Sequence, residues 1–202
     1  MQTAAQTTTG RLRVVVVEDD DAIRLALKQS LTDSLHHDVV GEASNGPQMI
    51  ELVLKTAPDL VLFDIHLPGL DGLTALKQIN ETHPVAAVAI TADRDVALVR
   101  RASEEQVLGY LVKPFEHHLL GPALELARAR FEEIQELCRE NVKLQQTLEN
   151  RKLIERAKGV LMKRHRWGEA EAFRRLQRAA MNRRTTMAEL ARKVIEGIEI
   201  EL

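Results

Sequence analysis

Short apolar runs rich in valine and isoleucine alternate, from Arg13 onward, with segments in which apolar residues recur every three or four positions. The runs predict five β-strands, at residues 13–17, 38–43, 59–65, 85–91 and 107–112. The segments after each run, the last beginning near Glu116, predict five α-helices. Because strands that alternate with helices form a parallel sheet covered on both faces, the pattern predicts a doubly wound α/β domain of (βα)5 type.

The helical pattern that begins near Glu116 contains no Gly or Pro between Pro122 and Gly159, so this helix should extend beyond the α/β domain. Apolar residues in it are spaced alternately by three and four positions, as in a short heptad repeat. An Asn at such a position favours a two-stranded coiled coil, and an ordinary amphipathic connector is the alternative. The repeat comprises Ile134, Leu137, Asn141, Leu144 and Leu148.

The last fifty residues predict three short helices. The first runs from Asn150 to His165, the second from Glu169 to Met181, and the third starts at Thr186 with a capping box. These patterns divide the chain into four segments: a disordered tail (1–11), the α/β domain (12–130), a helical or coiled-coil linker (131–149) and a small three-helix bundle (150–202).

Charge is distributed unevenly over the 202 residues, although the net charge is only −2. Residues 1–150 contain 14 basic and 23 acidic side chains, whereas residues 151–202 contain 14 basic and 7 acidic ones. The basic end therefore has the electrostatics of a polyanion-binding site, with a solvated helical face as the alternative.

Two classes of protein are disfavoured by composition. No apolar stretch approaches the length of a membrane span, and the polar start lacks the apolar centre of a signal peptide, so we expect a cytoplasmic protein without membrane contact. The single cysteine, Cys138, excludes an intramolecular disulfide, and no Cys/His spacing suggests zinc.

Polar side chains lie at the predicted carboxyl ends of four strands. Glu18 and Asp19 follow the first strand, Asp64 lies in the third, Thr91 ends the fourth and Lys113 follows the fifth. Because these ends meet at one edge of a parallel sheet, we expect the side chains to share one crevice. An unpaired carboxylate in a buried strand is costly, so Asp64 requires a compensating cation.

Mg²⁺ suits this cluster, because it prefers oxygen ligands and commonly acts together with phosphate. One carboxylate could then attack phosphorus and form an aspartyl phosphate. Lys113 would neutralise charge on the phosphoryl oxygens, and Thr91 would donate a hydrogen bond to them. The predicted metal ligands are Glu18, Asp19, Asp64 and the backbone carbonyl of His66.

Four segments together closely resemble the receiver domain of bacterial response regulators, over roughly residues 11–130: VVEDD (16–20), FDIHLPGLDG (63–72), AITAD (89–93) and GYLVKPF (109–115). The resemblance implies a CheY-like, flavodoxin-type fold that acts as a switch rather than as an enzyme on an external substrate. It implies a sensor histidine kinase as partner, with a phosphohistidine as donor, and Mg²⁺ as cofactor. Glu18 departs from the pattern, in which Asp is common, and this changes the expected metal geometry.

By the same resemblance, each residue of the crevice has a role. Asp64 is the phosphoacceptor, Thr91 the switch hydroxyl and Tyr110 the switch aromatic. Lys113 contacts the phosphoryl group and is followed by a cis bond to Pro114.

The basic end resembles the ANTAR domain, a three-helix RNA-binding module of transcription antiterminators, through ERAKGVLM (155–162), EAEAF (169–173) and QRAAMNRRTTM (177–187). The resemblance implies stem-loop RNA in a nascent mRNA leader as the partner, and antitermination or a related post-transcriptional mechanism. A two-stranded coil would hold two such bundles in an active homodimer. The predicted RNA contacts are Arg156, Lys158, Arg164, Arg178, Arg183 and Arg184.

Arg183 and Arg184 precede the third helix, whose N-terminal amides favour a phosphate. Trp167 is the one aromatic expected to be accessible, whereas Phe173 is predicted to lie in the core. Recognition should therefore depend on RNA shape and on arginine contacts to loop bases. The histidine pairs 36–37 and 117–118 are predicted to be solvated.

Three alternative functions follow from the same residues. RTTMAELARKV (184–194) also looks like the capped start of a helix in a DNA-binding helix-turn-helix. An aspartyl-phosphate phosphatase would need a second catalytic Asp two residues after the nucleophile, where this chain has His66. A dimerisation adaptor would leave the basic bundle as a solvated surface.

Overall fold

The computed structural model of the chain describes residues 10–92 and 96–198, with no side-chain description for residues 96–99. Most of the predicted N-terminal tail lies outside the described residues. The chain forms two compact units, Met1–Ile134 and Gln135–Leu202. No helix of the described part is both long and apolar enough to cross a membrane.

The first unit contains a five-stranded parallel sheet in the order β2-β1-β3-β4-β5, which confirms the predicted doubly wound architecture. The strands are β1 (Arg13–Val17), β2 (Asp38–Ala43), β3 (Leu60–Asp64), β4 (Ala86–Thr91) and β5 (Gly109–Val112). The helices are α1 (Asp21–Gln29), α2 (Gly46–Thr56), α3 (Gly72–Asn80), α4 (Val96–Glu104) and the start of α5 (Leu120–His165). A wide π-helical turn, Ser30–Ser34, extends α1, and a 3₁₀ turn, His117–Leu119, precedes α5.

Two apolar cores flank the sheet because the central strands bury both of their faces. Every residue of β3 and β4 is buried. Met49, Leu73 and Leu76 from α2 and α3 pack into one core, whereas Leu27 of α1 and Leu124 of α5 pack into the other. Burial of each leucine side chain contributes about 1.5–3 kcal/mol to the stability of the fold. The packing of the helices on the sheet therefore holds the ends of the strands in place.

The second unit is built by the last part of α5 together with α6 (Glu169–Asn182) and α7 (Met187–Ile195). Small and branched apolar residues form its core, among them Ala157, Leu161, Leu176, Leu190 and Val194. The predicted capping box at the start of α7 is present, with Thr186 as N-cap and Glu189 as its partner.

The predicted separate helix from Asn150 to His165 is wrong, because α5 continues without a break from Leu120 to His165. Gly159 lies inside this helix. A glycine there costs only about 1 kcal/mol relative to alanine, and burial of the adjoining Ala157 and Leu161 offsets that cost.

Candidate functional site

Four strands bring the predicted catalytic side chains to one edge of the sheet. Glu18 directly follows β1, Asp64 ends β3, Thr91 ends β4 and Lys113 directly follows β5. Glu18, Asp64 and Thr91 are buried, although all three are polar. The order and direction of the strands therefore place these side chains together at one edge of the sheet.

Lys113 joins the two buried carboxylates. Its ammonium nitrogen Nζ lies 2.5 Å from Oδ2 of Asp64 and 2.9 and 2.7 Å from the two carboxylate oxygens of Glu18. The backbone N–H of Lys113 donates to the carbonyl of Thr91 at 2.7 Å, and the bond from Lys113 to Pro114 is cis, as predicted. Lys113 is thus the cation that Asp64 requires.

Burial and pairing shift the protonation of this cluster in defined directions. Burial raises the pKa of Glu18, and this effect exceeds the opposing effect of its hydrogen bond from Lys113. Burial alone would lower the pKa of Lys113, but its hydrogen bonds to Asp64 and Glu18, together with the negative charges of both carboxylates, outweigh burial and raise it. The lysine therefore stays charged at neutral pH.

The loop after β3 holds the Asp64 carboxylate in place. The backbone N–H of His66 donates to Oδ1 of Asp64 at 2.8 Å, so that oxygen is oriented while Oδ2 faces Lys113. This contact involves the amide of His66, and the role of its carbonyl as a metal ligand stays a prediction. Gly72 packs so closely against the backbone of Asp64 that a Cβ at this position would lie 2.3 Å from the Asp64 carbonyl oxygen.

A polar contact that the sequence did not reveal ties α4 to the end of this loop. Asp71 caps α3 by accepting from the backbone N–H of Thr74 at 3.1 Å. Arg101 of α4 donates to both carboxylate oxygens of Asp71, at 2.9 and 3.2 Å. Hydrogen bonds from Thr74 and Arg101 lower the pKa of Asp71 despite its partial burial, which alone would raise it. The sequence alone could have identified Asp71 as an N-cap of α3, but it could not have shown that Arg101 of α4 is its partner.

The acidic residues fit a divalent cation. Glu18, Asp19 and Asp64 each offer a carboxylate oxygen, and these oxygens lie within 4.8 Å of one another. Asp19 is exposed and therefore reachable from solvent, whereas Glu18 and Asp64 are buried. A set of hard oxygen donors with an open side matches the preference of Mg²⁺ for a few carboxylates plus retained water.

The two predicted switch residues lie on neighbouring strands. Thr91 is fully buried at the end of β4, and Tyr110 of β5 is opposite Ala89 of β4 in the ladder. Tyr110 is only partly buried and packs against one of the two sheet cores. Thr91 therefore lies at the same end of the β4–β5 pair as Lys113, whereas Tyr110 lies two residues further from that end.

In the second unit, five of the six predicted RNA contacts lie on the surface. Arg156, Arg164, Arg178, Arg183 and Arg184 are exposed. Within the described part of the chain, none of these arginines forms an ion pair with a carboxylate. Their guanidinium groups are therefore available to an external anion.

The sixth, Lys158, is placed differently from the prediction. Only 6% of it is exposed, and its ammonium lies 2.8 Å from carboxylate oxygens of both Glu155 and Glu169. These hydrogen bonds raise the pKa of Lys158, and its ammonium also lies 5.9 Å from the ring centre of Phe173. We therefore assign Lys158 to the stability of the second unit, where it joins α5 to α6.

One further expectation for the second unit is wrong. Phe173 is not in the core, since 39% of it is exposed. At the N-terminus of α7, Glu189 accepts from the backbone N–H of Thr186 at 3.0 Å. Hydrogen bonds from Thr185 and Thr186 lower the pKa of Glu189 to about 2, so a carboxylate of the chain lies beside the helix start where a phosphate was predicted, and phosphate binding there stays a prediction.

One of the histidines predicted to be solvated is buried. His37 is 5% exposed, and its Nδ1 accepts from the backbone N–H of Leu12 at 3.3 Å. Burial lowers the pKa of His37. His36, His117 and His118 are exposed, as expected.

Comparison with known families agrees with this division of the chain. Residues 14–125 match the model of the response regulator receiver domain, and residues 142–195 match that of the ANTAR domain. The transcriptional regulatory protein PdtaR of Mycobacterium tuberculosis is 43% identical over 186 residues, which cover 92% of this chain and 90% of that protein.

Solved structures match the first unit. A two-component response regulator of the LuxR family from Aurantimonas aligns with a TM-score of 0.57 and 25% identity, over 66% of this chain and 99% of that one. The signal receiver domain of a modulated diguanylate cyclase from Desulfovibrio desulfuricans aligns with a TM-score of 0.56 and 28% identity, over 61% and 98%. The acidic residues lie in the part of the sequence that matches the receiver domain, and the arginine-rich bundle lies in the part that matches the ANTAR domain. The chain therefore belongs to the response regulators in which a receiver domain is joined to an ANTAR domain.

Proposed function

We propose that the receiver domain accepts a phosphoryl group on Asp64 from the phosphohistidine of a sensor histidine kinase. The observation that carries this proposal is the ion-paired position of Asp64, with Lys113 on Oδ2 and the His66 amide on Oδ1. A carboxylate that is buried, held in one orientation and next to a cation able to neutralise an incoming phosphoryl group is well placed to act as a nucleophile.

In this reaction an oxygen of Asp64 forms a bond to phosphorus as the bond from phosphorus to the donor imidazole nitrogen breaks. The bonding electron pair stays on that nitrogen, and the imidazole leaves as a neutral ring because its other nitrogen carries a proton. Lys113 neutralises charge on the phosphoryl oxygens, and the Thr91 hydroxyl binds one of them. Mg²⁺, when held by Glu18, Asp19 and Asp64, supplies further charge neutralisation. The buried strand ends exclude bulk water from the phosphorylated carboxylate.

The ANTAR domain, on this proposal, binds stem-loop RNA in a nascent mRNA leader and controls expression by antitermination or a related post-transcriptional mechanism. The relative PdtaR is named as a transcriptional regulatory protein, which supports a role in gene expression. A polyanion partner is supported by exposed arginines that form no ion pair with the described residues: Arg156, Arg164, Arg178, Arg183 and Arg184. Such a protein acts in the cytoplasm.

A homodimer through α5 is part of the proposal. Apolar side chains of the heptad repeat are exposed in the single chain, with Leu137 at 60% and Leu144 at 59%. An exposed apolar row on a helix is stabilised by a second helix of the same kind. Two linked ANTAR domains would then bind two stem-loops with an affinity raised by effective concentration.

The phosphorylation step is tested with Asp64→Asn, which keeps the size of the side chain but removes its nucleophilic charge. We expect the wild-type chain to take up one acid-stable, hydroxylamine-labile phosphoryl group from a small-molecule phosphodonor, and Asp64→Asn to take up none. Asp33→Asn, an exposed Asp far from the crevice, is the control. Uptake by Asp64→Asn equal to that of wild type would exclude Asp64 as the acceptor.

The output is tested by competition. Labelled tandem stem-loop RNA bound to the full-length protein should resist displacement by duplex DNA at matched salt, and displacement at equal concentration would favour the DNA-binding alternative. Replacing Leu137 and Leu144 together by Lys should abolish the dimer in sedimentation experiments. Gln146→Lys, outside the heptad positions, should leave the dimer intact.

A further inference from the structure

Three side chains stack on one another where α5 turns into α6. The ring of His165, the last residue of α5, lies parallel to the indole of Trp167, with ring centres 4.2 Å apart and planes inclined by 15°. The guanidinium carbon of Arg175, on α6, lies 4.4 Å from the centre of the same indole. The indole is therefore covered by two cationic or polar planar groups.

The surrounding structure holds this stack in place. Trp167 is only partly exposed and packs against the core of the second unit. Arg175 is fixed by Glu171, whose carboxylate lies 3.1 Å from its guanidinium. His165 is exposed and one face of its ring rests on Trp167, so the opposite face is the one that a further ring would cover. A planar, pre-ordered aromatic surface of this kind loses little conformational entropy when another ring stacks on it.

An arginine-lined groove adjoins the stack. Arg174, Arg175, Arg178 and Glu171 line a space of about 280 Å³ on α6. Arg175 belongs to both features, so the stack and the groove are continuous. Arg174 uses its Nε to donate to the carbonyl of Ala170, which leaves the outer edge of its guanidinium for an anion. The groove thus carries three positive charges against one negative charge.

From this juxtaposition we infer that His165, Trp167 and Arg175 form a binding site for one unpaired nucleobase. The base stacks on the outer face of His165, and its flanking phosphates lie in the groove against Arg174 and Arg178. The inference rests on the proposed RNA function and deepens it, because it names the element that distinguishes a stem-loop from a plain duplex. Bases in a duplex are already stacked on their neighbours, whereas loop bases are free to stack on protein rings.

The site also explains how a domain poor in aromatics recognises loop bases. Trp167 serves as the inner support of the stack, and the solvent-facing ring is that of His165. The sequence alone drew attention to Trp167 and to arginines, but the stacking partner becomes evident only once the turn between α5 and α6 brings residues 165 and 167 face to face.

The test uses the full-length protein and a tandem stem-loop RNA whose loop sequence is selected from a random pool by that protein. Affinity is measured by fluorescence anisotropy for the intact RNA and for RNAs with one abasic site at each loop position in turn. His165→Ala should weaken binding of the intact RNA about tenfold. It should have no effect on the RNA that lacks the one base that stacks.

His165→Phe keeps a ring and should retain most of the affinity, which a role of His165 in charge alone would not allow. His83→Ala, an exposed histidine of the receiver domain, is the matched control and should bind as wild type. Wild-type affinity of His165→Ala, or an equal loss at every abasic position, overturns the stacking site. If the wild-type protein selects no stem-loop, or prefers duplex DNA, the proposed function fails together with the site.

Discussion

Gly72 packs directly against the backbone of Asp64: a Cβ at Gly72 would lie 2.3 Å from the Asp64 carbonyl oxygen and 2.5 Å from the ring of Phe63. Gly72→Ala should therefore displace the loop that orients the phosphoacceptor, at a cost of about 1–3 kcal/mol. The single tyrosine, Tyr110, reports unfolding of the receiver domain. We expect Gly72→Ala to unfold at a lower urea concentration than wild type, as measured by the Tyr110 signal, and to take up the phosphoryl group more slowly.

Gly159→Ala provides the opposite case within the same chain. A Cβ at Gly159 would meet nothing within 4 Å, and the residue lies inside α5. The substitution should stabilise the ANTAR domain by about 0.5–1 kcal/mol, since alanine is the better helix former. The single tryptophan, Trp167, reports this domain by fluorescence. Destabilisation by Gly159→Ala would mean that α5 is not a regular helix at this point.

Lys158 should matter for stability more than an exposed lysine on the same helix. Lys158→Met leaves Glu155 and Glu169 without their shared cation, so the midpoint of the Trp167 transition should fall. Lys152→Met breaks the pair with Glu149, in which both side chains are about two thirds exposed, and should change stability by less than about 1 kcal/mol. Equal effects of the two substitutions would contradict the structural role of Lys158.

Glu189 makes the ANTAR domain sensitive to acid in a defined window. Its pKa is about 2 in the folded chain, against an ordinary value of 4.5. Since the folded-state pKa is depressed, the stabilisation is present above pH 4.5 and is lost as the pH falls toward 2. At pH 7, Glu189→Gln should therefore lower the midpoint of urea unfolding that Trp167 fluorescence reports. The difference in midpoint from wild type should disappear near pH 2. A difference independent of pH would show that the charge of Glu189 is irrelevant.

Mg²⁺ should stabilise the receiver domain through its acidic cluster. A ligand at 100 times its Kd stabilises the folded state by about 2.7 kcal/mol, which the Tyr110 signal would report as a higher midpoint in urea. Glu18→Gln should reduce this gain, because it removes one carboxylate of the cluster. Asp33→Asn should retain the full gain. If Glu18→Gln responds to Mg²⁺ as wild type does, Glu18 is not a ligand.

The sequence predicted the α/β fold well because buried parallel strands are nearly continuous apolar runs. It also predicted that Glu18, Asp64, Thr91 and Lys113 converge, since that follows from strand order and direction alone. The distance between the Lys113 ammonium and Asp64 depends on packing and could not be derived from the pattern.

Errors arose where the environment of a side chain depends on residues far along the chain. Lys158 was predicted to contact RNA, although Glu155 lies three positions before it; its second partner, Glu169, lies eleven positions away, beyond a turn, and could not be found from helical spacing. His37 was predicted to be solvated because adjacent histidines point in different directions and surface histidines are common, yet its ring is buried and accepts from the backbone N–H of Leu12, just before β1. The helix predicted to start at Asn150 is the last part of α5, which continues because no Pro interrupts its backbone between the first turn and His165.

Strand β5 is short and, within the described residues, is bonded on one side only, to β4. It carries Tyr110, and Lys113 follows it directly. A strand with a single neighbour moves at the expense of one ladder, whereas displacing β3 would break two. Lys113, which a phosphoryl group on Asp64 would contact, therefore follows a strand held by a single ladder, so a displacement of Lys113 would cost hydrogen bonds along one side of a four-residue strand only.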